Sequence, residues 1–141
     1  MKELKFRVYD KKKKQMFDVM CLYSDRQLEY RDGFAVVKLN KNDSNDFVVM
    51  QYTGFKDKNN KEVYEGDIVL IDVGDSFLEI KQQCVVRYDN MNASYCFETN
   101  SGNKKYLTRF GNPDFFFKNK VEVIGNVYEN PELIVLLSDD E

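Results

Sequence analysis

Histidine is absent from the 141 residues. That gap excludes Ser-His-Asp and Cys-His catalysis, histidine-ligated zinc and histidine-based pH switching, while leaving carboxylate and lysine chemistry open. Tryptophan is also absent, and proline occurs only twice. The three cysteines, Cys21, Cys84 and Cys96, form no Cys-x-x-Cys pair, which removes zinc-ribbon and thioredoxin-type readings. Such a sparse, odd count suits a reducing cytoplasm. Cys84 and Cys96 lie among apolar neighbours and read as small buried hydrophobes. No apolar stretch approaches the ~18 residues that cross a bilayer, and residues 1–7 lack a signal-peptide apolar region. Excess positive charge is missing as well. The formal net charge is −3, whereas a strong nucleic-acid binder is usually basic. No phosphate-binding glycine loop, nucleophile elbow or metal-spaced cluster is present. The expectation is a protein with no catalytic constellation, no cofactor and no metal.

What the chain does have is aromatic and apolar substance. Hydrophobic residues make up 43% and aromatics 14%, enough for a globular core and biased toward strands. Charge is unevenly placed. Residues 1–14 carry seven cations against Glu3 and Asp10, and residues 129–141 carry five acids and no cation. A charged turn at one end and a solvated acidic tail over 136–141 account for this. Contact between the two ends is the sharper alternative.

No sustained 3.6-residue apolar period occurs, whereas short alternating runs between turn signals are frequent. Leu4, Phe6 and Val8 alternate with Lys5 and Arg7, which predicts a strand with one wet face. Met16 to Tyr23 is nearly continuously apolar and predicts a strand buried on both faces. Asp32-Gly33 between Leu28–Arg31 and Phe34–Leu39 predicts a hairpin with a type I′ turn. Strands are also expected over 47–52, 63–71, 77–88 (with a bulge at Gln82-Gln83), 95–99 and 121–128. Phe115-Phe116-Phe117 reads as a short helical turn or an aromatic plug. The fold class is therefore mostly β, all-β to α+β, with short antiparallel strands in barrel-like or sandwich units and little helix. An N-terminal hairpin region over 1–54, a junction over 55–62 and a small barrel-like region over 63–135 form the expected division, or one continuous domain.

Three constellations could carry chemistry. Glu65 and Asp67, two apart on a strand, would share a face, with Asp72 and Asp75 beyond; paired carboxylates can do acid–base work or hold a cation. A turn carboxylate and a solvated strand face are the favoured explanation. Residues 104–120 hold Lys104, Lys105, Arg109, Lys118 and Lys120 against Asp114, interleaved with Tyr106, Phe110 and the three phenylalanines. Such a stretch can stack bases and hold phosphates, although consecutive phenylalanines also suit a core and a partner surface. Surplus apolar side chains point to a partner or to self-association.

Three segments in order, Lys5 to Asp10, Met50 to Val69 and Ile124 to Leu133, resemble the YopX family of phage and prophage proteins. Tyr9 stands where that family usually has Trp, and Asn60 where it usually has Gly. Asn accepts the left-handed backbone a turn needs. The resemblance implies a phage or prophage origin and the host cytoplasm as location, and it supplies no catalytic residues. Within its middle segment Gly54, Asn60 and Gly66-Asp67 are turn chemistry. Gln51, Tyr52, Lys56 and Asp57 are less easily assigned to folding and are the candidate binding residues. The leading expectation is a non-enzymatic interaction module that self-associates and binds a host or phage protein, with no membrane partner. The alternative is a nucleic-acid accessory protein using residues 104–120.

Overall fold

The computed structural model describes residues 4–24, 27–40, 46–74, 77–99, 101–106 and 112–134. Among the described residues the fold is mostly β and little of it is helical. The chain forms two compact units, Met1–Tyr52 and Thr53–Glu141.

The first unit contains β1 (Phe6–Asp10), β2 (Gln15–Ser24), β3 (Gln27–Asp32), β4 (Ala35–Leu39) and the first part of β5 (Phe47–Lys56). Their order is β4-β3-β2-β1-β5, and every neighbouring pair is antiparallel. Alternation sends Val8, Phe17, Leu28, Tyr30 and Phe47 to one face, where they form the core. Phe17 stacks on Tyr30 at 4.3 Å. The Tyr30 hydroxyl donates to Asp10 Oδ2 at 2.8 Å, and Asp10 Oδ1 accepts the amides of Lys12 and Lys13. Burial opposes charge on Asp10, but these donors and the nearby Lys13 ammonium outweigh it and hold the carboxyl below its ordinary value. The charged turn over 11–14 is thus bolted to β3 from inside.

Three expectations change here. β1 has no wet face: Arg7, Val8, Tyr9 and Asp10 are all buried, Asp10 by its bonds to Tyr30 and the following turn, while Leu4 is exposed. In β2 only Phe17 is buried, with Met16 and Val19 half-buried and Asp18 exposed between them. Met20 to Tyr23 are exposed, because register shifts between Val19/Cys21 and Leu22/Ser24 break the alternation. The predicted hairpin forms, but its closing pair is Asp32–Ala35 and its loop is Gly33-Phe34. Of these two only Gly33 has positive φ (61°). A type I′ loop needs positive φ at both positions, so this is the type II′ pattern. Phe34 stands fully exposed at the tip.

The second unit holds the rest of β5, β6 (Glu62–Tyr64), β7 (Asp67–Asp72), β8 (Lys81–Asp89), β9 (Ser94–Glu98), β10 (Lys104–Tyr106), α1 (Pro113–Lys120) and β11 (Val121–Asn126). β5 neighbours β6, and an antiparallel sheet runs β10-β9-β8-β7-β11. β8 pairs with β7 in unbroken register from Lys81 to Val85, so the bulge expected at Gln82-Gln83 is absent. The irregularity lies instead in β11, between Val123 and Gly125. The core gathers Val63, Val69, Ile71, Val86, Phe97 and Val121 around Phe116 and Phe117. Phe117 stacks on Phe55 at 4.7 Å with planes 10° apart and tilts against Phe97 at 5.5 Å. Cys84 and Cys96 are buried in this unit, and desolvation pushes the Cys84 thiol up to about 11. Among the described residues no helix is long and apolar enough to cross a membrane.

Candidate binding cleft

The second unit carries a cleft of about 420 Å³ bounded by Asp72, Lys105, Phe115, Phe116 and Lys120, with residues 73–74 completing the wall. Each side chain arrives for a local reason. β10 pairs Lys104 with Glu98 and Lys105 with Phe97, so strand alternation points the two lysines to opposite faces. Lys104 is exposed, whereas Lys105 is half-buried and donates to Gln82 Oε1. Helix α1 starts where Asn112 Oδ1 accepts the amides of Asp114 and Phe115, with Pro113 in the first turn. This is ordinary N-terminal capping, and Asp114 early with Lys118 and Lys120 late suits the helix dipole. The helix buries Phe116 and Phe117 and leaves Phe115 62% exposed on the cleft. Both sequence readings of the three phenylalanines therefore hold at once: a short helix, and a plug made by its two inner rings.

Asp72 closes the other side. Its Oδ1 accepts the Gly74 amide at 3.0 Å, and its Oδ2 lies 3.6 Å from Lys120 Nζ. The Gly74 amide holds the Asp72 carboxyl below its ordinary value, outweighing partial burial, with the Lys120 charge adding to the effect. Gly74 has no substitute: a Cβ there would run into the carbonyl oxygen of Leu78 and the amide of Ile80. That close approach folds the β7–β8 loop back on itself, with Val73 donating to the Ile80 carbonyl at 2.8 Å. The same loop exposes Val73, Phe77, Leu78 and Ile80, Phe77 by 96%. The cleft thus has two ammonium groups, one neutralised by Asp72 and one held by a neutral amide, and an apolar rim. It can hold an anionic group between cations while an attached apolar portion packs on Phe115.

The sequence-derived candidates scatter. Gln51 is half-buried in β5, where it faces Phe6 of β1. Tyr52 is buried, and its amide donates to the Lys5 carbonyl. Lys56 is exposed. Asp57 is only 2% exposed. Its Oδ1 accepts the amides of Asn59 and Lys61, and its Oδ2 accepts the Val123 amide beside the β11 bulge. Asn60 completes that turn at φ 64°. A folding role accounts for Asp57: one carboxylate satisfies three main-chain donors. Lys118 points to solvent and pairs with Asp114 at 3.5 Å. Arg109, Phe110 and Asp75 lie outside the described residues. Glu65 and Asp67 do not share a strand face, as their spacing suggested. Glu65 sits in the turn before β7, and Asp67 is buried with Oδ2 accepting the Tyr64 amide at 2.7 Å. Among the described residues no cluster of three or more His, Cys, Asp or Glu could hold a metal.

Sequence reasoning placed Lys105, Phe115 and Lys120 in one stretch but missed Gln82, which positions Lys105, and the Asp72–Gly74 wall. The Asp72-x-Gly74 spacing, a common side-chain-to-amide turn, was the available signal.

Comparison with known proteins accords with this architecture. No curated protein matches the chain. Two solved structures are similar over most of their length. Protein EF1440 from Enterococcus faecalis is 24% identical with a TM-score of 0.57, over 95% of this chain and 99% of that one. Protein yopX from Bacillus subtilis is 19% identical with a TM-score of 0.57, over 95% and 97%. At these identities the likeness speaks to the fold. The YopX protein family model matches residues 5–135, so this chain belongs to the YopX protein family.

Proposed function

We propose that this protein is a non-enzymatic interaction module of phage or prophage type, working in the host cytoplasm, that self-associates and binds a protein partner. The partner segment is apolar with an acidic group, and it enters the cleft of the second unit. The observation that carries this reading is that Lys105 and Lys120 share one cleft with the exposed ring of Phe115, beside an apolar loop. Apolar surface next to half-buried cations is what such a segment needs, and interface centres favour aromatic anchors.

A photo-crosslinking residue at position 115, in cells that express the full chain, tests it. The expected result is one dominant protein adduct that Lys105→Glu with Lys120→Glu abolishes. A purified segment of that adduct should then lose about tenfold in affinity when its acid is replaced by an amide. Unchanged affinity would sink the cleft reading.

A second reading has the same cleft bind nucleic acid, supported by Lys104 and Lys118 lying exposed on the strand and helix that supply Lys105 and Lys120. It predicts oligonucleotide binding that weakens steeply with salt. Absence of binding at low salt rejects it.

A further inference from the structure

Among the described residues the sheets end in four outer strands, β4, β6, β10 and β11. Three are blunted. β6 and β10 have three residues each, and two of those in β10 are lysines; β11 is bulged. Short strands, lysines and bulges are how proteins keep sheet edges from pairing. β4 has none of these protections except Lys38. It reads Ala-Val-Val-Lys-Leu, keeps unbroken register with β3, and among the described residues has a neighbour on one side only. Val36 is 47% exposed. Val37 and Leu39 are only partly covered where they join the first unit's core.

We infer that β4 is a self-association edge, pairing antiparallel with β4 of a second copy about a twofold axis at Val37. The hairpin geometry selects this register. A two-residue loop makes its closing pair, Asp32–Ala35, a hydrogen-bonded one. Alternation then commits the main-chain groups of Ala35, Val37 and Leu39 to β3 and turns those of Val36 and Lys38 outward. An axis at Val37 sets Val36 opposite Lys38 of the second copy, twice, so all outward groups of both residues bond. An axis at Lys38 would place two ammonium groups face to face, which is destabilising. With the axis at Val37, the paired valines continue the partly covered core face across the junction. Lys38 keeps its own cross-strand partner Glu29 beside it.

The inference rests on the self-association part of the proposed function, and the test separates the two. Sedimentation velocity of the full chain at high micromolar concentration should give a dimer. Val36→Pro removes one outward N–H per copy while leaving the β3 ladder intact, since edge strands accept proline. It should give a monomer with an unchanged circular dichroism spectrum. Val37→Cys in a Cys21→Ser background should form a covalent dimer on oxidation. Non-hydrogen-bonded antiparallel partners lie about 4.5 Å apart at Cα, within disulfide range. Val36→Cys, displaced two positions from its own counterpart, should not. A wild-type monomer overturns both self-association and this edge. A dimer that survives Val36→Pro, or crosslinking through Val36→Cys as readily as through Val37→Cys, overturns the edge alone.

Discussion

The two units use their buried carboxylates differently. In the first, Asp10 is the centre of a side-chain network, taking the Tyr30 hydroxyl beside a Lys13 ammonium that lies 5.3 Å from the Tyr30 ring and 3.0 Å from Asp32. In the second, Asp57 and Asp67 bond main-chain amides, and Asp89 takes the Met91 amide together with the Asn92 side-chain amide, each within a local turn. The cores differ in the same sense. The first unit has one stacked pair, Phe17–Tyr30, with a polar tip, whereas the second builds on phenylalanines from β5, β9 and α1. What the comparison teaches is that the acids most suggestive of chemistry in the sequence are the ones spent on turns. The cations at the cleft remain as the candidate recognition chemistry.

The largest test of that contrast is Phe117→Ala. Removing the ring that stacks on Phe55 and touches Phe97 should cost about 3–5 kcal/mol. Denaturant titration measures it, and labelling of Cys84 and Cys96 reports opening of the second unit, because both thiols are buried. A loss under about 1 kcal/mol would mean the aromatic stack is not this unit's keystone. Next comes Asp57→Ala, which strands three amides and should cost about 3 kcal/mol. Asp57→Asn keeps one acceptor oxygen and should fall between. Equal losses for the two variants would show that the intact carboxylate, not side-chain volume, matters at this site.

Tyr95 of the second unit should contribute to the alkaline limb of stability. Burial, with the Glu65 charge and Tyr88 adding to it, pushes Tyr95 up to about 12. The folded protein therefore keeps a proton that the unfolded chain releases near pH 10. The Tyr95 contribution is full below about pH 10 and declines by about 2 kcal/mol as pH rises to 12. Tyr95→Phe should flatten that decline, seen in urea midpoints measured across the range.

The acid limb gives the first unit's counterpart. Asp10 is held below its ordinary value, so its contribution is present above about pH 4 and lost as pH falls through the folded value. Tyr30→Phe should cost about 1 kcal/mol at pH 7 and progressively less as pH falls through the folded value of Asp10. Parallel curves would detach Tyr30 from Asp10. Smallest of all, Lys118→Ala should change stability by under about 0.5 kcal/mol, because its pair with Asp114 is exposed.

Much of the fold was legible because turn chemistry is local. Asp32-Gly33 marked the first hairpin, and Asn60 took the left-handed backbone its turn required. The loop type was missed because Asp32 looks like a turn residue yet ends a strand, while Phe34 does not look like one. The burial of β2 was misjudged because composition cannot register a bulge. At the cleft, sequence proximity found the residues of β10 and α1. The facing wall comes from the end of β7 and the residues after it, some thirty residues earlier, and only strand pairing brings Asp72 there and Gln82 of β8 beside Lys105. Asp57 resisted for a similar reason. Its third hydrogen bond goes to Val123, sixty-six positions away, which no local pattern announces.

Gly74 has an evolutionary side. A side chain there collides with main chain, which cannot swing aside as a flexible side chain would. Among random variants, position 74 should therefore tolerate nothing larger than hydrogen, whatever fills Val73 or Phe77. The β7–β8 loop can then exchange its exposed apolar side chains while keeping one fixed pivot. Related chains could vary this apolar rim by substitution alone, without relearning how to fold the loop that presents it.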